Sequence, residues 1–211
     1  MRTAYRVAAS TGFAFLVLAL LVVARWSPLM EVDRDLVGQA TDLARDHDTY
    51  RDLMKSATWL LNSPLMAAYA GLIALGLAPR RPGAAVWLAA VVGVGVLINP
   101  LLKQIFDRDR PTVVDPVETF SGLSFPSGHA ASAGLLCAGA AVVFWVGLGR
   151  TGRLILVLVV IAVPLLSAWT RMTMGGHYFS DVVGGPLWAV AWVAAWQPAL
   201  PVLERKGRRA N

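Results

Sequence analysis

Charged residues are scarce in this chain. Asp, Glu, Lys and Arg make up 15% of its 211 residues, whereas soluble domains carry about 25%. Cysteine is nearly absent too, because Cys137 is the single one and lies inside an apolar run. One cysteine excludes an intramolecular disulfide and any Cys-based metal site. Hydrophobic residues make up 56% of the chain, so the composition predicts a membrane protein.

Six long apolar runs are separated by short polar segments. They cover residues 7–24, 57–78, 84–102, 130–147, 154–169 and 182–203. Each is close to the roughly 20 residues that a transmembrane helix needs. No small-x-small cleavage site follows the first run, so we expect a retained transmembrane helix there and not a signal peptide. The runs predict an all-α fold, a polytopic membrane protein with a six-transmembrane-helix bundle, in a single domain over residues 1–211.

Residues 31–55 form the one long polar stretch. Its acidic residues are Glu31, Asp33, Asp35, Asp42, Asp46, Asp48 and Asp52. Apolar residues recur there at helical spacing, at Leu36, Val37, Ala40, Leu43 and Ala44. We therefore predict an amphipathic helix on the membrane surface after the first span. Its role is either a lid or wall where lipid reaches the protein, or a solvated connector.

Basic residues outnumber acidic ones, and the formal net charge is +6. Such a charge can indicate a nucleic-acid partner, but these residues fall in short clusters between apolar runs. If six spans are present, the clusters at the N-terminus, at residues 80–81, at residues 150–153 and in the 204–211 tail share one side. By the positive-inside rule that side is the cytoplasm. We expect both termini to be cytoplasmic, the lipid bilayer to be a partner and no nucleic acid to be bound.

Span counting also places the remaining polar side chains at one face. Lys103 ends the third span, His129 begins the fourth, Arg171 follows the fifth, and His177 with Asp181 precedes the sixth. All of them therefore lie at the outer face, opposite the termini. This convergence predicts a functional site there.

The chemistry of these residues is coherent. His177 and Asp181 are four apart, which on a helix places them on one face. A carboxylate there can accept the Nδ1–H of the imidazole and leave Nε2 as a nucleophile. Lys103 and Arg110 are seven apart, two helical turns, so they could converge on one anion, with Arg171 arriving from the other loop.

A short turn, residues 126–129, opens the fourth span. Ser127 can cap that helix, and His129 lies in its first turn. Backbone N–H groups at a helix start favour an anion. Each of these features has a plainer interpretation as well, because basic side chains at span ends often extend to lipid head groups and a His–Asp pair can be a helix-start ion pair. We expect Asp107, Arg108 and Asp109 to solvate the loop or pair with each other.

Three spaced segments resemble the signature of the type 2 phosphatidic acid phosphatase superfamily. That signature reads Lys-x6-Arg-Pro, then Pro-Ser-Gly-His, then Ser-Arg-x5-His-x3-Asp. The chain has Lys103 to Arg110-Pro111, then Pro126-Ser127-Gly128-His129, then Thr170-Arg171 with His177 and Asp181. Only Thr170 departs from the pattern, and threonine keeps the hydroxyl of serine. The resemblance covers residues 103–181 and the six-span layout, while residues 1–80 carry no motif.

The resemblance implies a bacterial membrane lipid phosphatase. His177 would attack phosphorus to give a phosphohistidine, Asp181 would orient it, and His129 would protonate the leaving oxygen and then activate water. The phosphoryl oxygens would be bound by Lys103, Arg110, Ser127, Gly128 and Arg171. No metal and no cofactor is implied, because the cations neutralise the charge.

The expected substrate is a lipid phosphate or diphosphate in the outer leaflet. Phosphatidate, phosphatidylglycerol phosphate and a polyprenyl diphosphate such as undecaprenyl diphosphate all fit, and the sequence does not choose among them. A phosphotransferase that uses the same pocket is one alternative. A non-catalytic binder or transporter of anionic lipid is another, although a binder does not need an oriented imidazole.

Overall fold

The structure, a computed structural model, describes residues 2–113 and 117–209. Within those ranges the chain forms α-helices, two short 3₁₀-helices and no strand. The helices are α1 (Arg2–Val23), α2 (Ser27–Asp46), α3 (Asp48–Leu60), α4 (Ser63–Leu77), α5 (Pro82–Phe106), α6 (Gly128–Phe144), α7 (Arg150–Thr173), α8 (Phe179–Trp196) and α9 (Leu200–Arg209). Residues 114–116 of the predicted outer loop and 210–211 of the predicted basic tail lie outside the described residues. The all-α prediction is confirmed.

Five of the described helical segments are long and apolar enough to cross a membrane. They are α1, α5, α6 with its 3₁₀ extension, α7, and the run Phe179–Arg205. The pair α3 and α4 supplies a sixth if it counts as one span, but it is bent by 50°. The fifth predicted span was too short: α7 continues to Thr173, so Arg171 lies on its last turn and not in a loop.

The second predicted span, 57–78, is not one helix. The chain breaks after Leu60, and α4 begins anew at Ser63. Asn62 caps it, because its Oδ1 accepts the N–H of Leu65 at 2.9 Å. Pro64 fits the first turn, where its missing N–H has no intrahelical acceptor to lose. The cap and the proline together start a second helix at an angle to the first.

The predicted amphipathic helix over 31–55 is two helices. Its break is His47, whose extended backbone (φ −137°) ends α2 before α3 begins. The buried face of α2 includes Val37, Ala40 and Ala44, as predicted, whereas Leu43 is exposed. This face packs against α7 and α8 of the same chain. The apolar residues of α2 are therefore buried partly against other helices of the protein.

Helix α8 is central and packs most closely against α1 and α6. Two glycines permit this approach. A Cβ on Gly185 would lie 2.8 Å from the Ser127 carbonyl oxygen and 2.8 Å from the Ala131 nitrogen. A Cβ on Gly184 would lie 2.7 Å from the Phe125 ring. The starts of α6 and α8, which carry His129 and Asp181, are thereby held side by side.

Gly185→Ala is expected to destabilise the fold by about 1–3 kcal/mol, the usual cost of overpacking. The added methyl meets the backbone of α6, which cannot move aside as a flexible side chain would. Thermal unfolding in detergent, followed by circular dichroism, measures the change. Gly93→Ala in α5 is the matched control, because no neighbouring described atom lies within 4 Å of its added methyl. Equal unfolding midpoints for Gly185→Ala and the native protein would contradict the close packing.

An aromatic cluster joins α1 to the end of α5 and to the loop before α6. The ring of Phe15 stacks on Phe125 with centroids 5.8 Å apart. Phe106 meets both rings edge-on, at 5.7 Å from Phe15 and 5.2 Å from Phe125. Phe125 is fully buried, so the residue that leads into Pro126 is fixed by packing.

Candidate active site

All eight predicted site residues converge at one end of the bundle. His177 contacts both Asp181 and Arg110. The backbone N–H of Ser127, next to Gly128, donates to the carbonyl oxygen of Asp181 at 3.0 Å. The remaining members, Lys103, His129 and Arg171, interact electrostatically with one another and with Arg110 and His177. The structure thus brings together the residues that span counting predicted to lie at one face.

The surroundings of His177 define its tautomer. Arg110 Nη1 lies 3.3 Å from His177 Nε2. A guanidinium only donates hydrogen bonds, so Nε2 presents its lone pair and the ring proton is on Nδ1. Nδ1 in turn forms a long hydrogen bond of 3.3 Å to Asp181 Oδ2. The nitrogen that contacts Arg110 is therefore the unprotonated one, and Arg110 occupies its electron pair.

His177 is only 2% exposed. Burial lowers the pKa of His177 well below its ordinary value, and the positive charges of Arg171, Lys103 and Arg110 lower it further. The imidazole is consequently neutral at physiological pH. A neutral imidazole with an unprotonated Nε2 is the nucleophilic form of the side chain.

Helix spacing does not explain the pairing of His177 with Asp181. His177 lies before α8, which begins at Phe179, and Asp181 occupies the third position of that helix. There its Oδ2 accepts the backbone N–H of Tyr178 at 2.9 Å. The carboxylate thus caps its own helix and holds the imidazole with the same oxygen.

Helix spacing does not explain the convergence of Lys103 with Arg110 either. Helix α5 ends at Phe106, and Asp107 adopts a left-handed conformation (φ 43°) that turns the chain. Lys103 Nζ donates to the Leu123 carbonyl oxygen at 2.7 Å. Arg110 Nη1 donates to the Gly176 carbonyl oxygen at 2.7 Å, and burial lowers the pKa of Arg110. Backbone carbonyls of two loops therefore aim both cations into the site.

Arg171 reaches the site from the last turn of α7 and is 4% exposed. Its guanidinium lies over the Phe120 ring, 4.4 Å from the centroid, and Nη1 lies 3.4 Å from the Thr58 hydroxyl. Arg171 Nε makes no hydrogen bond to any described residue. Thr170, the departure from the signature, is 3.0 Å from the same Thr58 hydroxyl. No sequence pattern indicated Thr58, which belongs to a different helix, α3.

The Ser127 hydroxyl does not cap α6, contrary to prediction. Ser127 occupies the N-cap position, but its buried Oγ forms no hydrogen bond with any of the residues described. The first N–H groups of α6 are oriented along the helix axis and lack intrahelical acceptors. A hydroxyl and backbone N–H groups at a helix start are donors suited to an anion.

The prediction that Arg108 solvates the loop is wrong. Arg108 is 9% exposed, and its Nη1 donates to Asp181 Oδ1 at 2.6 Å. Its Nη2 donates at 2.6 Å to Oδ2 of Asp33, which is fully buried. Burial alone lowers the pKa of Arg108, but the carboxylates of Asp181 and Asp33 outweigh it and raise that pKa. Sequence reasoning missed both residues, although Asp33 shares the helical face of Val37 and Ala40, which was a usable signal.

In the part of the chain that the structure describes, no three His, Cys, Asp or Glu residues form a group that could hold a metal ion. Positive charge dominates instead: Lys103, Arg110 and Arg171 surround the two histidines. Such a site can bind a tetrahedral oxyanion and stabilise charge that moves to a leaving oxygen. The fold and the site together define a helical membrane protein with an oriented, neutral histidine beside three cations.

Comparison with known proteins identifies the family. The sequence model described as PAP2 superfamily matches residues 84–202. This is more than half of the chain, and the chain belongs to that family.

Two curated relatives are similar over part of their length. A lipid A 4'-phosphatase of Rhizobium etli is 32% identical over 122 residues, which cover 51% of this chain and 45% of the relative. A decaprenylphosphoryl-5-phosphoribose phosphatase of Mycobacterium tuberculosis is 40% identical over 128 residues, which cover 57% of this chain and 62% of the relative. The matched region is thus about half to three fifths of the length of these relatives.

A solved structure has the same fold. It is the PAP2 type phosphatidylglycerolphosphate phosphatase from Bacillus subtilis, with a TM-score of 0.76 and 20% sequence identity. The likeness covers 90% of this chain and 94% of the other. It confirms the predicted class of fold, a transmembrane all-α bundle, and the chain is a membrane protein.

Proposed function

We propose that this protein is a membrane phosphatase that hydrolyses the phosphomonoester or diphosphate of a lipid through a phosphohistidine. The observation that carries the proposal is the arrangement at His177. Its imidazole is buried and neutral, Asp181 holds Nδ1–H, Arg110 contacts Nε2, and the charges of Lys103 and Arg171 act on the same ring. An anion-binding protein without chemistry does not require an imidazole fixed in one tautomer.

Substrate binding begins with the phosphoryl oxygens. Lys103, Arg110 and Arg171 supply positive charge, and Arg171 Nε and the Ser127 hydroxyl are buried donors without an acceptor among the described residues. The Gly128 amide adds a helix-start N–H. Arg110 contacts Nε2 of His177 directly, so a phosphoryl oxygen that draws the guanidinium away also frees the lone pair for attack.

The first chemical step is attack of His177 on phosphorus. The Nε2 lone pair forms an N–P bond while the bond between phosphorus and the leaving oxygen breaks. His129 gives its proton to that oxygen, which departs as the lipid alcohol or, from a diphosphate, as the lipid monophosphate. Asp181 stabilises the positive charge that develops on the imidazole through Nδ1–H.

The second step releases phosphate. His129, now neutral, accepts a proton from a water molecule whose oxygen attacks phosphorus. The N–P bond breaks, its electrons return to Nε2, and inorganic phosphate leaves. The same three cations stabilise the equatorial oxygens in both transition states.

The lipid character of the substrate is supported by where the site lies. Its residues lie at the ends of α5 and α7 and at the starts of α6 and α8, four segments long and apolar enough to cross a membrane. The named relatives act on lipid A and on a decaprenyl-linked sugar phosphate. Both substrates combine a phosphate with a hydrocarbon anchor. We propose phosphatidate, phosphatidylglycerol phosphate or a polyprenyl diphosphate as the substrate here.

The proposed topology follows the distribution of basic residues. Both termini are cytoplasmic and the site faces the outside of the cell membrane, because the termini and the short loops on their side carry ten of the 19 Lys and Arg and a single acid, Glu204. The whole chain, residues 1–211, acts as one domain.

The test is release of inorganic phosphate by protein purified in detergent, with EDTA present. The three lipids are supplied in parallel, and a glycerol acceptor is added in a second series. Release that survives EDTA supports the proposal, and the lipid that is hydrolysed fastest identifies the preferred head group. Phosphoryl transfer to glycerol in place of release would favour a phosphotransferase, and binding of all three lipids without turnover would favour a binder or transporter.

A further inference from the structure

We propose that Asp33 is a positioning residue for the reaction: it neutralises Arg108, so that Asp181 keeps a net negative charge against the Nδ1–H of His177. The inference rests on the proposed function. It gives a helix that lies outside the signature, α2, a defined part in the chemistry.

The geometry divides the oxygens of Asp181 between two partners. Oδ2 faces His177 Nδ1 at 3.3 Å, whereas Oδ1 accepts from Arg108 Nη1 at 2.6 Å. The other arm of the same guanidinium, Nη2, donates to Asp33 Oδ2 at 2.6 Å. Arg108 thus lies between two carboxylates that are both fully buried. Tyr178 covers the guanidinium face, 4.2 Å from ring centroid to Cζ.

Asp33, Arg108 and Asp181 form a trio whose net charge determines the electrostatic potential at His177. Asp181 paired with Arg108 alone would form a neutral pair, and its attraction for a positive imidazolium would be small. Asp33 adds a second carboxylate on the far side of Arg108 and leaves the trio with one net negative charge. In a buried site with low dielectric, that charge stabilises the imidazolium formed on attack more strongly than it would in water.

Asp33 also has an ordinary structural contact. Its Oδ1 accepts the backbone N–H of Ser180 at 2.8 Å, and its Oδ2 accepts the Ser180 hydroxyl at 2.6 Å. Asp33 therefore caps α8 from a helix 147 residues earlier in the chain. The experiment must separate this cap from the electrostatic role. Asparagine is suitable, because its oxygen can still accept the Ser180 N–H, whereas the charge and the acceptor that faces Arg108 are lost.

Asp33→Asn is expected to lower kcat by about 10- to 100-fold, the range seen when a supporting group is misplaced. KM for phosphatidate in detergent micelles is expected to change by less than about 2-fold, because Lys103, Arg110 and Arg171 are untouched. Asp35→Asn is the matched control: Asp35 is exposed on the same helix. Unchanged kcat in Asp33→Asn, or a loss that lies only in KM, would overturn the inference.

A second substitution tests the sign of the charge effect. Asp33→Asn combined with Arg108→Gln again leaves one net negative charge, on Asp181, and the glutamine amide can still donate to it. This double variant is expected to recover at least about 3-fold in kcat over Asp33→Asn, since coupled neighbours are not additive. A purely structural role predicts the opposite, because a second buried contact is lost. A double variant slower than Asp33→Asn would therefore overturn the inference.

A spectroscopic measurement reports the tautomer of His177 in the native protein. The chain has only three histidines, His47, His129 and His177. The ring-¹⁵N NMR spectrum is recorded on the native protein. Its His177 signals are identified as those that remain when His47 and His129 are each replaced by glutamine. The inference requires a neutral ring protonated at Nδ1, and a proton on Nε2 instead would overturn it.

Failure of the inference and failure of the proposed function give different results. If the native protein releases no phosphate from any of the three lipids, the phosphatase proposal fails, and the inference, which rests on it, fails with it. If the native protein is active, His177→Ala is inactive and Asp33→Asn matches the native kcat, only the inference fails.

Discussion

His177→Ala is expected to abolish phosphate release, with a loss of about 10⁴-fold or more, as when a nucleophile or its orienting group is removed elsewhere. The alanine side chain offers no lone pair for an N–P bond, while the cations that bind phosphate remain. Initial rates of phosphate release with EDTA present, at saturating phosphatidate, measure the effect. His47→Ala is the control, because His47 is exposed at the junction of α2 and α3.

The covalent intermediate gives this prediction a second readout. Native protein quenched during turnover of ³²P-labelled phosphatidate should carry label on the chain, and His177→Ala should carry none. Turnover by His177→Ala at more than a tenth of the native rate would contradict nucleophilic catalysis by this residue. Label on a different residue of the native protein would relocate the nucleophile.

The second large effect is expected for His129→Ala. Loss of a general acid costs about 10²- to 10⁴-fold on a substrate whose leaving oxygen needs a proton. The lipid alcohol of phosphatidate is such a leaving group. An aryl phosphate such as p-nitrophenyl phosphate has a far more acidic leaving group, so the variant should lose much less on it in the first step. Comparing the two substrates in the native protein and the variant measures the difference.

The roles of His129 in the two steps can be separated. Because the same residue activates water, His129→Ala should accumulate labelled phosphoenzyme when p-nitrophenyl phosphate is the substrate. His177→Ala should not, and serves as the control. Equal losses on both substrates, together with no accumulation, would show that His129 only supports the fold of the site.

Local sequence patterns were sufficient for most of the fold. Apolar length predicted an all-α membrane fold, and a signature of fixed spacing predicted the family; both are confirmed, whereas the bounds of two spans were wrong. The break at Asn62 and Pro64 was missed, although a capping residue followed by proline is a local helix-start signal. The predicted fifth span ended before Arg171, whereas α7 continues through it. Arg171 is accommodated in the helix by contacts with Phe120 and Thr58, which the sequence does not reveal.

The site residues were predicted in type but not in geometry. Helical spacing predicts that Lys103 lies near Arg110 and that His177 lies near Asp181. In neither pair do both residues lie on one helix. The catalytic roles assigned to them remain predictions. Arg108 could not be placed from sequence, because its burial depends on Asp33, a residue 75 positions away on another helix. A charged residue between two acids is ordinarily solvated, and only the tertiary structure makes it part of the site.

The aromatic cluster of Phe15, Phe106 and Phe125 bears on where the working unit begins. Family likeness covers residues 84–202, and Phe15 precedes that segment. Yet its ring supports Phe125, the residue immediately before the Pro126 turn. A shortened chain starting at residue 84 would retain every signature residue and lose the side chain on which Phe125, next to the Pro126 turn, is stacked. The matched segment therefore contains the signature residues, while the packing that supports them extends back into the first helix.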